Sequence, residues 1–96
     1  MKIMAIASPA PSATSEILQK HLASEVPATL KLYLDGKIEQ FWFREKHGPI
    51  FLMNVDTPDK ANAILATLPL VAASLMTYEL LPVGPLLPLG RLIQGA

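Results

Sequence analysis

The chain contains no cysteine. That excludes a disulfide scaffold, thiolate metal sites and a cysteine nucleophile. The two histidines, His21 and His47, are too far apart for ligand spacing, so no metal is expected. Neither charge dominates: eight basic residues balance eight acidic ones, and the basic ones are scattered. Without a basic stripe, nucleic acid is not an expected partner. No apolar run is long enough to span a bilayer. The opening "MKIMAIASPAPSA" imitates a secretion signal, but its apolar centre, Ile3 to Ala7, is shorter than a signal requires. A cytoplasmic location, away from membranes, is therefore expected. No glycine-rich loop sits between a strand and a helix, and no serine occupies a nucleophile elbow.

Apolar side chains are plentiful: 51% of the 96 residues are hydrophobic and only 17% charged. A chain of this size is one domain with much of its length near the surface. An additional buried surface, most simply a homodimer interface or a larger oligomer, would account for the excess. Aromatic residues make up 6%, yet three of them stand together as Phe41, Trp42 and Phe43.

Lys2 to Ser8 forms a short apolar strand bounded by "PAPS". From Ser15, helical spacing of Ile17, Leu18, His21 and Leu22 begins. A second helical piece, capped by Ser24 with Pro27 in its first turn, runs to Asp35-Gly36. Lys37 to Arg44 and Pro49 to Val55 form a hairpin across the turn Glu45 to Gly48. Thr57-Pro58 starts a helix that stops before Pro69. Ser74 to Leu81 is the fourth strand, and the apolar tail 83–96 follows. The order βαββαβ predicts a single α+β domain over 1–96, ferredoxin-like, with four antiparallel strands and both helices on one face.

Two-residue alternation sorts the strands. Phe41, Phe43, Phe51, Met53, Val55, Met76, Tyr78 and Leu80 are expected under the helices. Ile38, Gln40, Trp42, Arg44, Ile50, Leu52, Asn54, Leu75, Thr77, Glu79 and Leu81 share the opposite face. A face open to water needs no tryptophan and leucines, and a dry core rejects unpaired arginine and glutamate. The mixture predicts a face covered by a second copy, with a wet or ligand-filled space between. A bulge in the second strand would swap part of this assignment.

The segment Leu34 to Leu86, with Gly36 before the second strand, Trp42 near its end, "LATLPLVAASLMTYELLPVGP" and the acidic Glu79 in the last strand, resembles the muconolactone delta-isomerase-like family of the dimeric α+β-barrel superfamily. The resemblance implies a ferredoxin-like dimer joined sheet to sheet. It also implies a cofactor-free isomerase or cyclase that moves a proton on an unsaturated lactone or aromatic-derived substrate. The alternative is a non-catalytic dimer that binds such a ligand, or assists an enzyme, in a polyketide or tripyrrole pigment pathway.

Such chemistry needs a base, an acid and a donor for the oxygen that gains charge. Glu79 is a candidate base if burial raises its pKa, Arg44 a carboxylate or enolate clamp, and His47 a proton shuttle. Trp42, Gln40 and Asn54 are candidate ligand contacts. The competing readings are structural. Arg44 and Glu79 would form an interface ion pair, Trp42 would be interface core, and His47 would sit solvated in its turn. His21 is expected to pack on an apolar helix face, and Tyr78 to send its hydroxyl to the edge of the core.

Overall fold

A computed structural model of the chain describes residues 2–84. The expected tail 83–96 therefore lies, beyond Gly84, outside the described residues. Strands β1 (Lys2–Pro9), β2 (Ile38–Arg44), β3 (Gly48–Met53) and β4 (Met76–Val83) form one sheet in the order β2-β3-β1-β4. Every pairing is antiparallel. Helix α1 (Ser15–Leu34) joins β1 to β2, while α2 (Pro58–Leu65) and the one-turn α3 (Pro69–Ala72) join β3 to β4. This is the expected ferredoxin-like α+β fold, with the helices on one face.

Register defines that face. Ile3, Ala5 and Ala7 of β1 are buried, and they stand beside Met53 and Phe51 on one side and Leu80 and Tyr78 on the other. Phe51, Met53, Ile3 and Ile38 pack there with Leu65 and Leu68. Small residues in the central strand let the large ones from both neighbours meet above it.

Three sequence expectations change. The two helical pieces before Asp35 are one continuous helix containing Pro27. Proline removes a hydrogen bond to Ala23, but Ala23 and Pro27 are both exposed, so water can reach the freed carbonyl. Thr14 caps this helix, accepting from the Ile17 amide at 3.3 Å, whereas Ser24 donates to His21 O. Secondly, a register shift between Ile38 and Gln40 brings Ile38 opposite Met53 on the helix side, where it is buried. Thirdly, β4 begins at Met76. Leu75 precedes the strand and is buried in a second cluster with Ala7, Leu70 and Met76.

The β2–β3 turn depends on backbone freedom at two places. Lys46 takes a left-handed conformation (φ 67°), and Gly48 sits at φ 98°. A Cβ at Gly48 would also meet Met76 Cε at 3.3 Å and Ala7 Cβ at 3.4 Å.

A cleft between the long helix and the sheet edge as candidate functional site

Helix α1 leaves part of β2 uncovered. Phe41 and Phe43 face the helix side as expected, yet Phe43 remains 75% exposed. The space between helix and strand is a cleft of about 830 Å³. Leu18, Leu22, Val26 and Leu30 of α1 form one wall, and Phe41, Phe43 and Phe51 form the other. With Glu25 and Thr29, which also line the cleft, the helical residues recur at three- and four-residue spacing, so they form one stripe. The stripe contains one acid, Glu25.

Glu25 is 7% exposed, the one buried charged side chain among the described residues. Its Oε1 accepts the Leu70 amide at 3.0 Å. That bond caps α3, whose own N-cap residue, Leu68, provides no side-chain acceptor. Burial raises the Glu25 pKa above the ordinary carboxylate value; the Leu70 hydrogen bond and the charge of His21 offset part of the rise. His21, half-buried one turn earlier, donates Nδ1–H to Ile17 O at 2.9 Å. Thr29, one turn later, donates its hydroxyl to the Glu25 carbonyl at 2.9 Å.

Tyr78 stacks on Phe51, with ring centroids 5.5 Å apart. Its hydroxyl is buried and has no hydrogen-bond partner among the described residues, contrary to the expected route to the edge of the core. Burial first, and then the nearby Glu25 charge, hold its pKa well above the usual tyrosine value. Of these two perturbed groups, Glu25 borders the apolar cleft, whereas Tyr78 lies behind Phe51 and does not line it. A perturbed acid beside an apolar cleft is a candidate functional site.

The residues singled out from sequence are spread more widely. Trp42 is 47% exposed and borders the cleft. It also begins a cross-strand row, Trp42, Ile50, Ile6 and Glu79, on the sheet face opposite the helices. Glu79 ends that row, exposed, three strand spacings or about 14 Å away. Arg44 and Glu79 form no ion pair; those among the described residues are Lys2–Glu39 and Lys60–Asp56. The Arg44 Nη2 donates instead to Ala7 O at 2.9 Å. Pro49, next along β3 after the Ile6–Ile50 pair, has no N–H to offer that carbonyl. Gln40 is exposed beside Leu52, Asn54 is exposed with its amide on Lys37 O, and His47 is exposed in the turn. Only Trp42 of these six borders the cleft.

No cluster of three or more potential metal ligands occurs among the described residues. Nor, among them, is any helix long and apolar enough to cross a membrane.

The fold and site define a ferredoxin-like α+β protein with an apolar cleft around one buried acid. No family model and no curated protein sequence matches the chain. Its structure is similar to that of the 5-chloro-2-hydroxyhydroquinone dehydrochlorinase TftG from Burkholderia phenoliruptrix, solved in complex with 2,5-dihydroxybenzoquinone. The likeness has a TM-score of 0.70 at 13% sequence identity, and covers 88% of this chain and 94% of that one. At that identity it shows a shared fold.

Proposed function

We propose that the chain is a small enzyme that moves a proton on a flat, aromatic-derived or lactone substrate bound in the cleft, without a resident cofactor. One observation carries this reading: a buried carboxyl group with a raised pKa borders an apolar cleft large enough for such a molecule. Glu25 takes a proton from a carbon next to a carbonyl. The C–H electrons pass into the conjugated system as an enolate, and the same carboxyl returns the proton further along that system. Bonds balance and nothing is oxidised. The resemblance to muconolactone delta-isomerase-like proteins supports this reaction class. The neighbour's name, a dehydrochlorinase of a hydroxyhydroquinone, supports an aromatic-derived substrate.

A second reading draws on the sheet face opposite the helices. Met4, Ile6, Ile50 and Leu52 are half-buried there, and Trp42 and Leu81 are largely open. A second copy laid on this face would bury the patch as a homodimer and enclose Gln40 and Glu79. The inter-sheet space would then hold the ligand, with Glu79 as base, Arg44 as clamp, and His47 and Asn54 at its margin. A non-catalytic dimer that only binds the ligand is the bland form of this reading.

Deuterium exchange separates these readings. Unsaturated lactones and enolisable cyclic enones, which carry a C–H next to a carbonyl, are incubated with enzyme in D2O and followed by NMR. Glu25→Gln should slow label incorporation by about a hundredfold or more, the usual scale for losing a general acid–base group. Glu79→Gln should leave the rate unchanged. The opposite pattern favours the inter-sheet site, and no exchange on any substrate favours the binder.

A further inference from the structure

We propose that the cleft selects un-ionised hydroxylated aromatic rings and excludes aromatic carboxylates, with Glu25 accepting the ring hydroxyl. This rests on the reading of the cleft as the substrate site. It goes further by naming the ligand's polar group and charge.

The carboxylate has unused capacity. Its Oε1 holds the Leu70 amide, leaving Oε2 without a hydrogen bond to any described residue. An ionised carboxyl group only accepts, so the matching ligand group is a donor such as a phenolic O–H. The surrounding walls of Leu22, Val26, Phe41 and Phe51 are apolar. They suit a flat ring and offer an anion nothing in place of its lost water.

Cations are the other half of the argument. Among the residues bordering the cleft, Lys46 is the one cation, and it is exposed in the hairpin turn. Arg44 has its guanidinium on Ala7 O and does not border the cleft. The groups facing Glu25 are His21 from its own helix, Tyr78 from β4 and the Leu70 amide from α3. His21 already spends Nδ1–H on Ile17 O. With Glu25 ionised, a ligand carboxylate in the cleft would therefore meet its negative charge and, among the described residues that border the cleft, no buried cation. The half-buried His21 lies outside that lining. Lowering the pH protonates Glu25 and relaxes the exclusion.

The test is calorimetric titration of the full chain with hydroquinone and with benzoate near neutral pH. Wild type should bind hydroquinone tighter by about tenfold or more, which is about 1.4 kcal/mol. Glu25→Gln keeps an acceptor for Leu70 but removes the charge, and should bring the two affinities to within about threefold of each other. Equal or tighter benzoate binding by wild type overturns the proposal, as does an affinity ratio unchanged in Glu25→Gln or the absence of binding by both compounds. Lys46→Gln checks the anion route: loss of benzoate binding together with a benzoate preference in wild type would make this an anion site. The two readings fail separately. Selective hydroquinone binding without deuterium exchange removes the catalytic reading and leaves this one. Deuterium exchange on carboxylate substrates does the reverse.

Discussion

Replacing Glu25 with glutamine should make the protein less sensitive to pH, in a predictable direction. Burial raises the folded-state pKa of Glu25 above the ordinary value of 4.5. Between those two values the folded chain holds a proton that the unfolded chain has released. Stability therefore falls as pH rises through that window and is constant above it. The stabilising contribution is fully present below the unfolded pKa and lost above the folded one. Each tenfold difference in proton affinity corresponds to about 1.4 kcal/mol. In a domain of this size, 1 kcal/mol moves Tm by about 4–8 °C, so one tenfold step is worth about 6–11 °C. The substituted amide carries no titrating proton and still presents an oxygen to the Leu70 N–H. The variant should match or slightly trail wild type near pH 4.5, gain on it as pH rises through the folded-state pKa, and keep a constant lead above that. Glu25→Ala is the control for the cap: it strands the Leu70 N–H and should cost about 1–3 kcal/mol, even though it also removes the buried charge. Urea titrations of all three proteins across the pH range measure these differences, with other titrating groups cancelling between wild type and variant. A pH-independent gap between wild type and Glu25→Gln would refute the claim that Glu25 is buried as a reluctant anion.

Three more outcomes are expected. Phe51→Ala should cost about 3–5 kcal/mol in urea unfolding, because Phe51 is 0% exposed at the centre of the core and supports Tyr78. Gly48→Ala should cost about 1–3 kcal/mol by the same measurement, from the left-handed backbone and the close approach to Met76 and Ala7. Trp42→Ala should weaken the proposed homodimer by about 2 kcal/mol, roughly thirtyfold in dissociation constant. Sedimentation equilibrium checks this, and a monomeric wild type at micromolar concentration removes the dimer.

The strands were legible because alternation survives even in short pieces: Phe41, Phe51, Ala5 and Leu80 align across the sheet on the face that pairing assigns to the helices. The bulge before Gln40 was not, since nothing in "KIEQ" distinguishes an extra residue from a regular one. Glu25 was hidden by Pro27. Reading proline as a first-turn residue divided α1 near Ser24, so the stripe Leu18, Leu22, Glu25, Val26 and Thr29 never appeared as one face. An acid inside that stripe is the signal that would have found it. Arg44 illustrates a different limit. Its partner, the Ala7 carbonyl, is 37 residues away and is left without an amide by Pro49. No local pattern records such a vacancy, whereas an acid elsewhere in the sequence invites a salt bridge.

Both outer strands of the sheet carry an interruption. The bulge around Glu39 breaks the regular hydrogen-bonding rhythm of β2, and Pro82 deprives β4 of one amide. A free strand approaching either margin finds an incomplete template, which is how natural sheets resist growing into fibrils. The broad apolar side of the sheet has no such interruption. The chain thus blocks the open-ended route of self-association, strand beside strand, and leaves available the closed one, in which two copies meet side to side and no surface is left to recruit a third.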